Sequence, residues 1–377
     1  MESKDFFLSS SLLLGTMIGA GIFGLPFVVV KSGLLPAIFY FLILGIVSTL
    51  IHLFFGEIIL RTKENCRLPG YAKKYLGNNG KIITSFSVLL GTVLALLAYI
   101  ILGGNFLRLL FFPSINLSYF QFSLIFSFIL LPFFLKEARL VAKAELFTNT
   151  AFILIVFAIF ILSFSNIEVY NFVLFNPGQV FLPYGVILFA LTGWSAIPEM
   201  TEILKGKERK KLKKSIIFSM IVSIVVYFIF VLAVMGVSGK YTSPDTFLGL
   251  IPFLNKNIIL LGVLAGFITI ADSFLILGLY LKNTLIHDYN FKRKTALWFS
   301  WGVPLTMFLL GFREFIGVIG FAGTMIGAIE GIIIVSIFKK AKVLGDREPE
   351  YSLNVPNFVT NALLMVFLIG AIFHFFS

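Results

Sequence analysis

Apolar residues run along this chain in long unbroken blocks, unlike the alternating or one-faced patterns of a water-soluble fold. Windows of about 20 apolar residues mark membrane-crossing helices. Such windows fall at about 6–30, 34–60, 82–112, 119–135, 138–164, 180–204, 215–238, 257–286, 295–311, 314–338 and 356–376. Strands of a membrane barrel would alternate apolar and polar residues, and these blocks do not. The pattern predicts an all-α polytopic membrane protein with about 11 transmembrane helices, forming one transmembrane domain over residues 1–377. The connections are short. The longest, 61–81 and 239–256, carry the turn sequences RLPG, GNNG and SPD and are expected to hold short interfacial helices.

Two of the blocks are poorly written as helices. The first contains GTMIGAGIFGLPF (Gly15–Phe27) and the sixth contains LFALTGWSAIPE. Gly21 and Pro26 in the first, and Gly193 and Pro198 in the sixth, stand the same five residues apart. Proline removes a backbone donor and clashes with the preceding turn, while glycine tolerates almost any φ/ψ. Paired interruptions five spans apart are the sequence pointer to a binding site between inverted repeats. They predict a 5+5 repeat, about 6–164 and about 180–338, with spans 1 and 6 discontinuous and an extra C-terminal helix at about 356–376. A second GTMIGA at Gly323–Ala328 lies in span 10 and not in span 6, so it is read as a small-residue packing face.

A broken span exposes backbone groups that only a wet, protein-lined cavity tolerates. The unwound GAGIF stretch, with Gly19, Ala20, Gly21 and Ile22, offers amides and the positive end of a half-helix, which suits a carboxylate. Freed carbonyls near Ala190, Leu191 and Thr192 suit an ammonium group or a cation. Both ends in one cavity fit a zwitterion, and hence an amino acid.

Composition narrows the field. Only 13% of residues are charged, against roughly 25% in soluble domains. The net charge of +12 could suggest nucleic acid, but its placement does not. With a cytoplasmic N-terminus, 25 of the 30 Lys and Arg fall in cytoplasmic segments. This is the bias expected of a chain with its N-terminus inside and its C-terminus outside. KGKERKKLKK (Lys205–Lys214) then reads as an anchor near anionic headgroups of the cell membrane. The lone Cys66 and the histidines His52, His287 and His374 form no metal-ligand spacing and are read as structural. No nucleophile–base constellation or GxxxxGK[ST] motif is present, so no enzyme is expected and no cofactor beyond a coupling ion.

Acids within spans are costly and usually functional. Glu57 and Glu145 lie near helix ends, where Arg61 or Lys143 can pair with them. Glu199 follows Pro198, where it can pair with a basic group or cap a half-helix, and Glu330 receives no role. Asp272 sits midway along span 8 with Thr269 and Ser273 on its face. The cluster can bind Na⁺ directly, Asp272 can carry a proton, or it can be a satisfied polar residue fixing helix packing.

GTMIGAGIFGLPF, RLPGYAKKYLG, LFALTGWSAIP and ADSFLILGLYL, in this order over residues 10–290, resemble the amino acid permeases of the amino acid–polyamine–organocation superfamily. Their likeness is greatest to the hydroxy- and aromatic-amino-acid permeases. The resemblance implies a leucine-transporter-type fold, with the substrate carboxylate on the amides of Ala20 and Gly21 and Trp194 closing over the substrate. It also implies a Na⁺ site from the carbonyls of Gly15, Ile18 and Thr269 with Asp272 and Ser273, where many relatives carry a hydroxyl in place of Asp272. A second Na⁺ site is not expected, because Ile22 stands where a polar side chain is needed. Lys143 is the only basic candidate for the cation position that some relatives fill from span 5, and it lies near the cytoplasmic end. Tyr99, in mid-span 3, can face the substrate or pack in the core.

The function expected is a secondary active transporter: amino acid symport driven by Na⁺ or H⁺ through alternating access. A substrate-gated sensor or channel on the same scaffold, or a carrier of another organic cation or zwitterion, are the competing readings.

Overall fold

The computed structural model describes residues 2–111, 114–135, 138–287 and 289–374, and all their side chains but those at 2, 3, 135, 138–147, 149, 207, 287 and 374. The described residues form helices α1 (Glu2–Met17), α2 (Ala20–Ser32), α3 (Leu34–Arg61), α4 (Leu68–Phe111), α5 (Tyr119–Leu130) and α6 (Ala138–Ser163). After them come α7 (Leu182–Ala190), α8 (Ile197–Ile203), α9 (Leu212–Ser238), α10 (Phe247–Leu250) and α11 (Lys256–His287). The chain closes with α12 (Arg293–Leu297), α13 (Val303–Leu309), α14 (Phe315–Phe321), α15 (Gly327–Leu344) and α16 (Asn357–His374).

Among the described residues five helical segments are long and apolar enough to cross a membrane: α3, α4, α9 with its flanking turns, α11, and α14 running into α15. The pair α1–α2 qualifies as a sixth, bent by 54° at its break. The block at 180–204 is split between α7 and α8. The block at 295–311 is α12 and α13 joined by a π-helical turn at Trp298–Gly302.

The surface is apolar where lipid would lie. Leu35, Phe39, Leu42 and Ile46 form an exposed stripe on α3, while Phe41, Leu44 and Ile51 are buried. These spacings of three, four and seven residues are one helical face. Inside, α11 packs on α4 and α6, and α1 and α2 share α9 as a common backing, with α2 also against α7.

Both long connections contain a short helix. One occupies Leu68–Leu76, separated from the rest of α4 by Gly77 at φ +79°, and α10 is the other. Glu57 pairs with Arg61 at 2.8 Å and also accepts from Leu353 N (2.7 Å) and Ser352 Oγ (3.2 Å). That fastens the connection between α15 and α16 against α3. Farther along the same surface Lys74 pairs with Asp346. The ammonium holds the Asp346 carboxyl below the usual carboxylate range. Lys143 and Glu145 lie outside the described side chains, as do His287 and His374.

The second GTMIGA is a packing surface. A Cβ at Gly323 would lie 1.9 Å from the carbonyl oxygen of Gly185 on α7, so the two backbones touch with no room for a side chain. Overpacking of this kind costs about 1–3 kcal/mol, and more where backbone cannot shift. Gly323→Val is expected to lower the melting temperature of the detergent-solubilised protein by several degrees, as read by fluorescence-detected size exclusion. An unchanged melting temperature would contradict the contact.

Candidate functional site

The site forms where the two broken helices meet. Between α1 and α2, Gly19 takes non-helical angles (φ −133°, ψ −139°) and its amide donates back to Met17 O at 2.9 Å. The first amides of any helix lack an intrahelical acceptor, and no side chain caps those of α2. Ala20 and Gly21 therefore open α2 at the break. Tyr99 of α4 comes against it: a Cβ at Gly19 would lie 2.5 Å from the Tyr99 hydroxyl.

The second break runs from Leu191 to Gly193 (φ −162°, ψ 5°), followed by a single 3₁₀ turn, Trp194–Ala196, and α8. Gly21 abuts it, since a Cβ there would meet the Cα of Ala190 at 2.8 Å. One hydroxyl joins the two breaks. Tyr227 of α9 lies 2.7 Å from Met17 O and 2.9 Å from Ala190 O, and shares its proton between them. The Ala190 carbonyl, expected to be free for a ligand, is thus already hydrogen-bonded. Sequence reading missed Tyr227, because a tyrosine within the run IVVYFIFVL shows no sign of which face it occupies.

Trp194 is the other fixed point. Its indole N–H donates to Glu330 Oε2 at 2.6 Å, and Glu330 Oε1 accepts from Ser87 Oγ at 3.3 Å. The ring of His52 lies 5.6 Å from that of Trp194. His52 Nδ1 is 2.6 Å from Ser48 O, so that nitrogen carries the proton. Glu330, which received no role from sequence, belongs to the site.

These groups surround a cavity of about 180 Å³. Of the expected substrate residues, Gly19, Ala20, Gly21, Tyr99, Thr192 and Trp194 line it. Gly15 and Ser273 of the expected cation set line it too. Ile18, Ile22, Ala190 and Leu191 are packed behind it in the core. Thr269 is buried, and its hydroxyl has no partner. Asp272 Oδ2 accepts from Thr148 Oγ1 of α6 at 2.8 Å, and Asp272 is not among the lining residues. Among the described residues no three His, Cys, Asp or Glu are placed to share a metal ion.

Arg67, Pro198 and Tyr280 also line the cavity, and Arg67 and Pro198 are shared with a neighbouring cavity of about 480 Å³ that includes Glu199. Glu199 stands in the first turn of α8, where an acid is favourable, and its Oε2 has no partner. Beyond Ile22, Phe23 packs against Phe106, Phe230 and Phe247 at ring distances of 5.0, 6.2 and 5.9 Å. Thr246 Oγ1 donates to Phe23 O at 2.6 Å, closing the loop over α2.

Two discontinuous apolar helices around a largely apolar cavity that carries a few polar groups fit a transporter, and the family match places the chain among transporters, not enzymes. The chain belongs to the tryptophan/tyrosine permease family, whose model matches residues 2–374. It is 22% identical over 329 residues to glutamine transporter 2 of Aliivibrio fischeri (strain ATCC 700601 / ES114), covering 85% of each chain. Its fold is that of a solved structure described as MhsT in complex with L-phenylalanine. That match has a TM-score of 0.65 and 14% identity, and covers 97% of this chain and 98% of the other.

The approach of Tyr99 to Gly19 is directly testable. Gly19→Ala drives a methyl into the phenolic oxygen, and overpacking costs about 1–3 kcal/mol. Uptake is expected to fall about tenfold, the equivalent of about 1.4 kcal/mol. Adding Tyr99→Phe, which removes that oxygen, is expected to restore most of it. A double variant no better than Gly19→Ala would show that the two do not meet.

Proposed function

We propose that this permease is a secondary active transporter of bulky neutral amino acids, driven by a coupled Na⁺ or H⁺. The observation that carries the reading is the single cavity at both helix breaks, with the opening amides of α2 at one wall and the Trp194 indole at another. The amides and the half-helix end suit the substrate carboxylate. The carbonyl end of α7, with Thr192, suits the ammonium, and Trp194 and Tyr99 suit an apolar or aromatic side chain. The phenylalanine in the MhsT structure and the glutamine of the bacterial relative's name support an uncharged amino acid of this size.

The proposed architecture has about 11 spans: inverted repeats at about 6–164 and 180–338 and an extra helix at about 356–376. The N-terminus is proposed to be cytoplasmic and the C-terminus outside. On that orientation the Arg67 and Pro198 part of the cavity is proposed to lead to the cytoplasm and the Phe23 cluster to form the outer seal. Transport would alternate between this arrangement and its opposite by rocking α1, α2, α7 and α8 about the fixed site. Gly15, Ile18, Thr269, Asp272 and Ser273 are the proposed Na⁺ ligands where sodium is the coupling ion.

The test is uptake of radiolabelled amino acids into proteoliposomes under Na⁺ and H⁺ gradients imposed separately. Concentrative uptake of an aromatic or other bulky neutral amino acid is expected. Trp194→Ala is expected to raise KM about tenfold, the loss of one aromatic contact of about 1.4 kcal/mol. If Na⁺ alone drives accumulation, Asp272→Asn is expected to abolish it. Unitary conductance with no accumulation under either gradient would overturn the reading in favour of a channel.

A further inference from the structure

We propose that Glu330 is the proton carrier of this transporter and that it links protonation to the position of Trp194. This rests on the transport reading above, and it assigns the coupling proton to α15 in place of Asp272.

Glu330 lines the cavity, while Asp272 lies off it and is held by Thr148. The two carboxylate oxygens of Glu330 are each engaged by one neutral donor, Trp194 Nε1 and Ser87 Oγ. Among the described residues it forms no ion pair. An isolated carboxylate at membrane depth is costly, and the group relieves that cost by taking a proton whenever the cavity supplies one. Gly91 of α4 lets Ile326 and Glu330 come close to that helix, since a Cβ there would stand 2.7 Å from Ile326 Cγ2 and 3.9 Å from Glu330 Oε1.

The surroundings limit what else can titrate. From α4 the facing groups are Ser87, Gly91 and, on the same cavity, Tyr99, with Arg67 from the residue just before that helix. From α11 the facing group is Tyr280, and from α16 Phe367 packs on Gly331 beside Glu330. Arg67 donates to Thr284 Oγ1 at 2.7 Å and lies 4.5 Å from the Tyr280 ring centre. Against Trp194, α3 contributes His52, fully buried, with no partner for Nε2 among the described residues. Among the described residues, Glu330 is hydrogen-bonded to the tryptophan and lines the cavity, while His52 lies against the indole ring and is not among the lining residues.

Charge-assisted hydrogen bonds are roughly twice as strong as neutral ones. With Glu330 ionised, the indole is held against α15 and the break in the sixth span is tied down. A proton arriving from cavity water on a carboxylate oxygen removes the charge, weakens that tie and frees Trp194 to move over substrate. The proton leaves to water on the opposite side once access has switched. Proton and substrate therefore bind in linkage.

The first experiment compares wild type with Glu330→Gln, which keeps a hydrogen-bonding group beside Trp194 but cannot titrate. In proteoliposomes a one-proton symporter sustains at most about tenfold accumulation per pH unit. Wild type is expected to accumulate substrate under a pH gradient, and Glu330→Gln is expected to equilibrate it to a ratio near one. Its counterflow is expected to persist, slowed, with no pH dependence. The second readout is Trp194 fluorescence in a Trp298→Phe/Trp301→Phe chain, which leaves one tryptophan. A pH-dependent emission shift is expected there and is expected to vanish with Glu330→Gln.

Proton-driven accumulation by Glu330→Gln at the wild-type ratio would overturn the proposal. So would accumulation in wild type that requires Na⁺ and ignores pH, an outcome that leaves the transport reading intact. A fluorescence transition that survives Glu330→Gln and is lost in His52→Gln would move the proton to the histidine. Failure of wild type to take up any amino acid would sink the transport reading itself, and a flat Trp194 titration in the unsubstituted Glu330 chain would then reject the linkage as well.

Discussion

Every backbone polar group inside a membrane must find a partner within the protein or in a water-filled cavity, and the central architecture of this permease follows from that demand. The chain breaks two helices at membrane depth, so it must satisfy carbonyls and amides that lipid cannot. One hydroxyl, Tyr227 Oη, meets the carbonyls of Met17 and Ala190, one from each break. Because both carbonyls depend on the same proton, the two interruptions are held as one unit. What remains unpartnered, including the opening amides of α2, is left to the cavity. Structural need thus defines which backbone groups a ligand can use.

The side chains around the cavity extend the same logic. Close contacts with backbone are made where glycine permits them, at Gly19 beneath Tyr99 and at Gly323 against Gly185. These contacts bring α4 and the π-helical turn before α15 up to the broken helices. The Trp194–Glu330 hydrogen bond then connects the mobile break to α15 through one indole N–H. Among the described residues no cation pairs with the carboxylate placed there, and the proposed coupling makes its protonation state a mechanical variable. Asp272, similar in residue type and depth, is instead occupied by Thr148. The two acids differ in what faces them.

Much of this was legible in advance. The five-residue separation of glycine and proline in GAGIFGLP and GWSAIP located both breaks to within a turn, because proline and glycine act on the backbone locally. Glu57 and Arg61, four residues apart on one helix, announced their own pairing. Glu330 and Tyr227 could not be found this way. Their partners lie 136, 210 and 37 residues away in sequence. A uniformly apolar helix gives no periodicity from which to read the face that carries them.

By itself, then, the sequence determined that the chain is helical and lives in lipid, where its helices break, and which residue types stand at the breaks. These follow from hydropathy and from backbone sterics, which act over one or two turns. Only the tertiary structure decided that the breaks touch, that Tyr227 bridges them, that Ala190 is occupied, and that Glu330 and not Asp272 lines the cavity beside Trp194. Those outcomes depend on the rotation of each helix about its axis. That rotation is set by close packing at glycines and by hydrogen bonds between distant helices, not by any local run of residues.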